Sequence, residues 1–318
     1  MTKTPKIYKN KKLNHANFNN FTHNDYRIFL SLISKIKKVD KDGKILPSHK
    51  IEREYSLSAK DYSKYFGCDI KNSYKFLKNA TNKLMTTNIR LLMPEDKHYW
   101  RINICSKAEY KEKEGIINIK FTDDIMPYLA QVNKKFMLYN IKEISYFKSI
   151  YTVRLYELIQ EYKETGWLQK SIDQLKENFA AGKSFALYAD FKKRTFKKAC
   201  DEINKLYDLN IKFEEIKEGR KVASIRFTFN KAKVIKFTNP FTEKIILKFE
   251  KPKLLIDPIQ EKEKCKINRK TTSKTLSQNN ILDGQMNFDD IPKQQKNHTK
   301  SIGSVAKSIL KKFSFWDK

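Results

Sequence analysis

DFKKRTFKKACDEINKLY, residues 190–207, carries the apolar spacing of a long helix: Phe191, Thr195, Ala199, Ile203 and Leu206 fall on one stripe. Asp190 stands where an N-cap belongs. The opposite side presents Lys192, Lys193, Arg194, Lys197 and Lys198 in its first turns, and Asp201 and Glu202 only later. Two apolar runs follow, 211–216 and 222–229, across Lys217-Glu-Gly-Arg-Lys221, where Gly219 can supply the positive φ of a tight hairpin. Upstream, Ser171 opens a short helix through Phe179, with Gly182 in the turn beyond it. Before that, residues 148–163 form a helix with Tyr151, Leu155, Leu158, Ile159 and Tyr162 on one face. Three helices followed by a hairpin are the order of a winged helix, a helix-turn-helix with a β-wing.

The same order occurs earlier in the chain. A helix capped by Thr22 carries Tyr26, Phe29, Leu30, Leu32, Ile33 and Ile36, and ends at Lys37, Lys38 and the Asp40–Gly43 cluster. Ser58 caps a short helix, 59–66, closed by Gly67. A second helix spans about 71–85, with Tyr74, Leu77, Thr81 and Leu84 at helical spacing, and 89–121 then alternates as strands. Like elements are offset by roughly 113 to 126 residues, a domain-sized duplication. The expected fold is α+β, with tandem duplicated winged-helix domains and a mostly disordered basic C-terminal tail. Residues 1–13 are expected to be a flexible basic arm, 14–130 the first winged-helix domain and 131–232 the second. Residues 233–318 read as a low-complexity tail. In it, 234–237 and 245–249 are apolar pieces, 258–300 a polar linker, and Ile302, Val305, Ile309, Leu310 and Phe313 a short terminal amphipathic helix.

Hydrophobic residues make up 40% and aromatics 13%, enough for genuine cores. The formal net charge of +30, from 66 Lys+Arg against 36 Asp+Glu, calls for a counter-surface of nucleic acid phosphate or anionic membrane. No apolar run approaches a membrane span, and the charged first ten residues do not form a signal peptide. The expectation is a soluble cytoplasmic protein. Cys68, Cys105, Cys200 and Cys265 form no CxxC pair, and the histidines at 15, 23, 49, 98 and 298 form no ligand motif. Gly182-Lys183-Ser184 imitates the end of a phosphate-binding loop, but Glu177 stands where its first glycine is required. No cofactor, metal or enzymatic activity is therefore expected.

The basic side of the helix over 190–207 fits double-stranded DNA. Arg194 can bond guanine bidentately, while Lys192, Lys193, Lys197 and Lys198 suit phosphates. Lys217, Arg220 and Lys221 at the hairpin tip would reach backbone or minor groove as a wing. The first unit offers a weaker set: Lys71, Lys75, Lys78, Asn79, Asn82 and Lys83 on the outer side of its second helix, where an asparagine can read adenine. In the tail, Gln285-Met-Asn-Phe288 resembles in part the short peptides that bind sliding clamps, but Asp289 replaces their final apolar residue.

Residues 14–230, about two thirds of the chain, resemble the initiator Rep proteins of iteron-containing plasmids. The strings are 17–36, Ser58-Ala-Lys-Asp-Tyr to Gly67, 74–80, Phe147-Lys-Ser-Ile-Tyr-Thr-Val-Arg-Leu-Tyr-Glu-Leu158, Asp190-Phe-Lys to Ala199, Glu202-Ile-Asn204 and Gly219-Arg-Lys221. The resemblance implies paired winged helices gripping directly repeated origin sites. Family members bind repeats as monomers, help open AT-rich DNA and recruit host replication proteins (helicase and host initiator). Homodimers joined through the first domain repress the initiator's own gene. A repressor without an initiation role would share this fold. A nicking enzyme would need a tyrosine beside a histidine-held metal, a pairing this sequence lacks.

Overall fold

The computed structural model describes residues 5–38, 46–93, 98–130, 136–231, 234–238, 245–249 and 255. It opens with β1 (Lys6–Asn10) and α1 (His23–Ile33), whose Thr22 cap and Asp25 bond each other's backbone N–H. Then come β2 (Glu54–Ser58), α2 (Ala59–Phe66) and α3 (Ile70–Thr86), followed by the hairpin of β3 (Asn88–Met93) and β4 (His98–Asn103). The hairpin of β5 (Cys105–Lys111) and β6 (Ile116–Phe121), then α4 (Met126–Ala130), β7 (Phe136–Asn140) and α5 (Ile141–Ile144) complete the first half. The second half has α6 (Ile150–Glu161), β8 (Trp167–Ser171), α7 (Ile172–Asn178) and a long helix, α8. The segments of α8 are Tyr188–Lys192, a π turn over Lys193–Lys197, and Lys198–Leu206. After it, β9 (Lys212–Glu218) and β10 (Lys221–Thr228) form a hairpin, and β11 (Val234–Thr238) pairs with β12 (Ile245–Phe249).

Both halves follow one plan. A strand runs directly into a short helix, a longer helix follows, and a closing hairpin returns so that its last strand pairs with the first. The sheet orders are β2-β6-β5 and β8-β10-β9, all antiparallel. Ser58 and Ser171 sit at the two strand-to-helix junctions and accept from the N–H of Asp61 and Gln174. Gly67, at φ +59, closes α2 in the left-handed conformation. These are two winged helices, the first enlarged by the β3–β4 hairpin. The opening strands β2 and β8 are additions to the expected element order.

In α8 the structure corrects the sequence reading twice. The helix begins at Tyr188 with Leu187 at the N-cap, so Asp190 lies in the first turn. The π turn also brings Phe196 inward beside Thr195, both fully buried, where a uniform 3.6-residue period keeps only Thr195. Phe196 packs edge-on against Phe213 at 5.2 Å and Phe227 at 5.9 Å, fastening the helix to the wing sheet.

The N-terminus is a further correction. The expected flexible arm, residues 1–13, contains β1, which pairs with β7 from Lys6↔Asn140 to Asn10↔Phe136, with Ile7 and Lys9 buried. The cause lies on α6. Glu157, wholly buried, accepts from Lys9 at 2.5 Å, from Tyr26 at 2.6 Å and from Tyr139. Arg154, 2% exposed, donates to Glu157 at 3.2 Å and Tyr26 at 2.8 Å. It also donates to the carbonyls of Leu13 (3.3 Å), Asn14 (2.7 Å), Ala16 (2.9 Å) and Asn178 (3.0 Å). One guanidinium therefore joins the N-terminal segment, α1 and the end of α7. Burial would raise the Glu157 carboxyl, but Lys9 and Arg154 outweigh it and hold it below the ordinary range.

Arg154→Met is expected to cost about 3–5 kcal/mol in urea unfolding, because it strands Glu157 and several carbonyls in a dry interior. A loss below about 1 kcal/mol would show that the network is dispensable. A second expectation concerns acid. Burial, then the nearby Arg27, pushes His23 at the start of α1 down to about 3, and its Nε2 is buried without a hydrogen-bond partner among the described residues. The unfolded chain takes up this proton near the ordinary histidine value and the folded one does not. Stability is therefore lost as pH falls from 6.5 toward 3, by about 2 kcal/mol at pH 5. His23→Gln should flatten the unfolding free energy between pH 5 and 6.5, and an unchanged slope would assign the acid sensitivity elsewhere.

Candidate nucleic-acid interface

Helix α8 buries Phe191, Thr195, Phe196, Ala199, Cys200 and Ile203, which forces Lys193, Arg194, Lys197 and Lys198 outward, all four exposed. The Arg194 guanidinium lies over the Phe185 ring at 4.7 Å, which restrains its swing. The wing turn is two residues long, with Gly219 at φ +62 and nothing near its Cα side. Lys217, Arg220 and Lys221 are exposed around that turn.

Glu215 of β9 connects the two parts. Its Oε1 accepts from Tyr188 at 2.7 Å and from Lys192 at 2.5 Å, and the hydrogen bonds from Lys192 and Tyr188 hold its carboxyl below the ordinary range. Glu215 thus pins the wing strand to the first turn of α8. The wing tip begins three residues further on, about 10 Å along the strand. The wing turn therefore begins within about 10 Å of the residue that braces the first turn of α8. The same contact corrects the sequence reading of Lys192: it is half-buried and engaged in this brace, so of the five basic residues expected in the helix's first turns the other four are the exposed ones. Sequence reading missed Glu215, although alternation along 213–217 puts it on the face of Phe213.

Of the other acids of α8, Asp190 and Asp201 are exposed and Glu202 is turned inward. Glu202 accepts from the Lys148 N–H at 2.6 Å and from the Thr152 hydroxyl at 2.5 Å, at the start of α6. Asn204 exchanges two hydrogen bonds with the backbone of Ile211, at 2.7 and 2.8 Å, fixing where β9 departs.

In the first half, Lys71, Lys75, Lys78, Asn79 and Asn82 are all exposed along α3, and Lys83 is half-buried. Lys78 is paired with Glu112 of the neighbouring hairpin turn. That turn closes on the helix: a Cβ at Gly115, φ +63, would stand 1.9 Å from Tyr74 Cε1. The first hairpin's turn is packed against its helix, while a Cβ at Gly219 in the second turn would meet nothing within 4 Å among the described residues. The β3–β4 hairpin adds an exposed Tyr99 between the guanidinium groups of Arg90 (5.2 Å) and Arg101 (5.6 Å), beside an exposed Trp100, which sequence reading did not single out.

Among the described residues no group of three His, Cys, Asp or Glu could hold a metal, and no helix is long and apolar enough to cross a membrane. The clamp-like Gln285–Phe288 segment, the linker and the terminal helix lie outside the described residues.

Comparison with known proteins bears on this arrangement. Residues 6–160 match the family described as Initiator Replication protein, WH1, and residues 171–229 that described as Initiator Rep protein, WH2. A replication initiation protein of Escherichia coli is 29% identical over 129 residues, 41% of this chain and 37% of its own length. The PI protein of Escherichia coli is 30% identical over 146 residues, 40% of this chain and 48% of its own. The match therefore spans less than half of each of these relatives. The crystal structure of Pi initiator protein in complex with iteron DNA shares the fold at 24% identity and a TM-score of 0.59, covering 72% of this chain and 98% of that one. With one winged helix matching each of the two family descriptions, the chain belongs to the WH1–WH2 family of initiator replication proteins.

Proposed function

We propose that this chain initiates plasmid replication by binding directly repeated double-stranded DNA sites at an origin. The observation that carries the reading is an exposed basic helix face braced by Glu215 to the strand that leads into an exposed basic wing turn. A duplex placed against α8 meets Lys193, Arg194, Lys197 and Lys198 in the major groove, while Lys217, Arg220 and Lys221 reach the flanking backbone or minor groove. The second winged helix is the main reader. In the first, Lys71, Lys75, Asn79 and Asn82 add contacts, and Lys78 joins them only by releasing Glu112. The similarity to an initiator solved on iteron DNA supports repeated sites as the target.

The work is binding rather than chemistry, carried out in the cytoplasm. Recruitment of host replication proteins, and homodimers formed through the first winged helix that repress the chain's own gene, belong to the same proposal.

Nuclease footprinting of the purified protein on DNA flanking its own gene should give protection at regular intervals. Protection of a single operator would favour a repressor, and relaxation of supercoiled DNA with divalent metal would favour a nickase. Arg194→Ala should weaken binding to the protected repeat by about 1–3 kcal/mol and leave scrambled duplex nearly unchanged. Lys197→Ala should weaken both equally and reduce the slope of log K against log salt by about 0.9. Equal losses for Arg194→Ala on both duplexes would remove it from base reading.

A further inference from the structure

The tip of α8 is apolar. Leu187, at the N-cap, is 68% exposed, more than any other large apolar side chain among the described residues. Exposed alanines, Ala186 and Ala189, flank it. Its position is fixed: its carbonyl accepts from the Phe191 N–H at 3.1 Å, Phe185 behind it is buried, and the next residue, Tyr188, is anchored to Glu215. A leucine held out in water at the end of a rigid helix loses nothing on folding and gains only from something that meets it there.

Charge identifies the partner. Lys183 lies four residues before Leu187, and Lys193 and Arg194 about two turns along the helix from it, all three exposed. Within the tip stands exposed Asp190, which would repel a phosphate but can accept a hydrogen bond from the amino group of cytosine or adenine. Exposed cations before and after an apolar, acid-containing tip suit phosphates at the cations and base edges at the tip. The one apolar group that bases show in the major groove is the C5 methyl of thymine.

We propose that Leu187, with Ala186 and Ala189, reads thymine methyl groups at the tip of α8, a specificity contact beyond that of Arg194. The inference rests on the proposed DNA-binding function. Its test uses the full-length protein and the repeat duplex defined by footprinting, with fluorescence anisotropy at fixed salt. Each thymine is replaced in turn by deoxyuridine, which deletes only the methyl. Leu187→Ala should weaken binding to the repeat about 3- to 10-fold and leave scrambled duplex unchanged. At one or two positions deoxyuridine should cause a similar loss with the native protein and no further loss with Leu187→Ala. Circular dichroism should show the variant as stable as the native chain.

Additive losses at every thymine would overturn the contact, and so would full affinity of Leu187→Ala for the repeat, which would assign the tip to an apolar partner protein. A native protein unable to distinguish repeat from scrambled duplex would instead overturn the DNA-reading function itself.

Discussion

Glu157 and its donors organise the molecule. A carboxylate removed from water is tolerable only when its lone pairs are filled, and here Lys9, Tyr26, Tyr139 and Arg154 fill them. Two cations share this single anion, and the strain of that imbalance is visible on Lys9, which burial pushes down to about 8 in spite of Glu157. The network reaches β1, α1, β7, α6 and the end of α7, so the N-terminal segment and both winged helices are packed around α6. Arg90 and Asn17 extend the seam by pairing with Glu177 of α7. A buried polar network admits few alternative arrangements, because shifting one member leaves several groups unsatisfied. The two winged helices are thereby held against one another through α6.

Much of this was legible in the sequence, and the misses share a physical cause. Helical periodicity located α1, α3, α6 and α8, and the Ser58, Ser171, Gly67 and Gly219 signals located the short helices α2 and α7 and the wing. Periodicity is a local property. It described Lys6–Asn10 as polar because its lysines and asparagine are polar, whereas the fate of Lys9 was decided by Glu157, far along the chain. It likewise presented Lys192 as one more cation in a run, when Glu215 on a later strand had claimed it. Strands β2 and β8 are five residues each, too short for alternation to stand out ahead of a capped helix. The π turn escaped for a different reason: reading at a fixed 3.6-residue period assumes an even helix and does not register one wider turn, in which Thr195 and Phe196 are both buried.

The family-like strings gain a physical meaning from these contacts. In Phe147–Leu158, Arg154 and Glu157 are the seam. Glu202 ties α8 to the start of α6, and Asn204 sets the origin of β9. None of these residues is placed to touch DNA. They fix angles between elements, and the cations that remain exposed inherit those angles.

Under the proposed DNA-binding function, that division would let a strongly basic chain be selective rather than merely sticky. Net charge alone gives attraction to any phosphate backbone, with no preference among sequences. Selectivity requires that a few groups arrive at base edges together, at fixed separations, while the phosphates are held. Around α8 the acids Glu202 and Glu215 are spent on internal bonds that set the helix against α6 and the wing against the helix. The same bonds keep those carboxylates from neutralising Lys193, Arg194, Lys197 and Lys198. Structure and charge are thus arranged by the same residues: each inward-turned glutamate both braces α8 and withholds its own charge from the exposed cations.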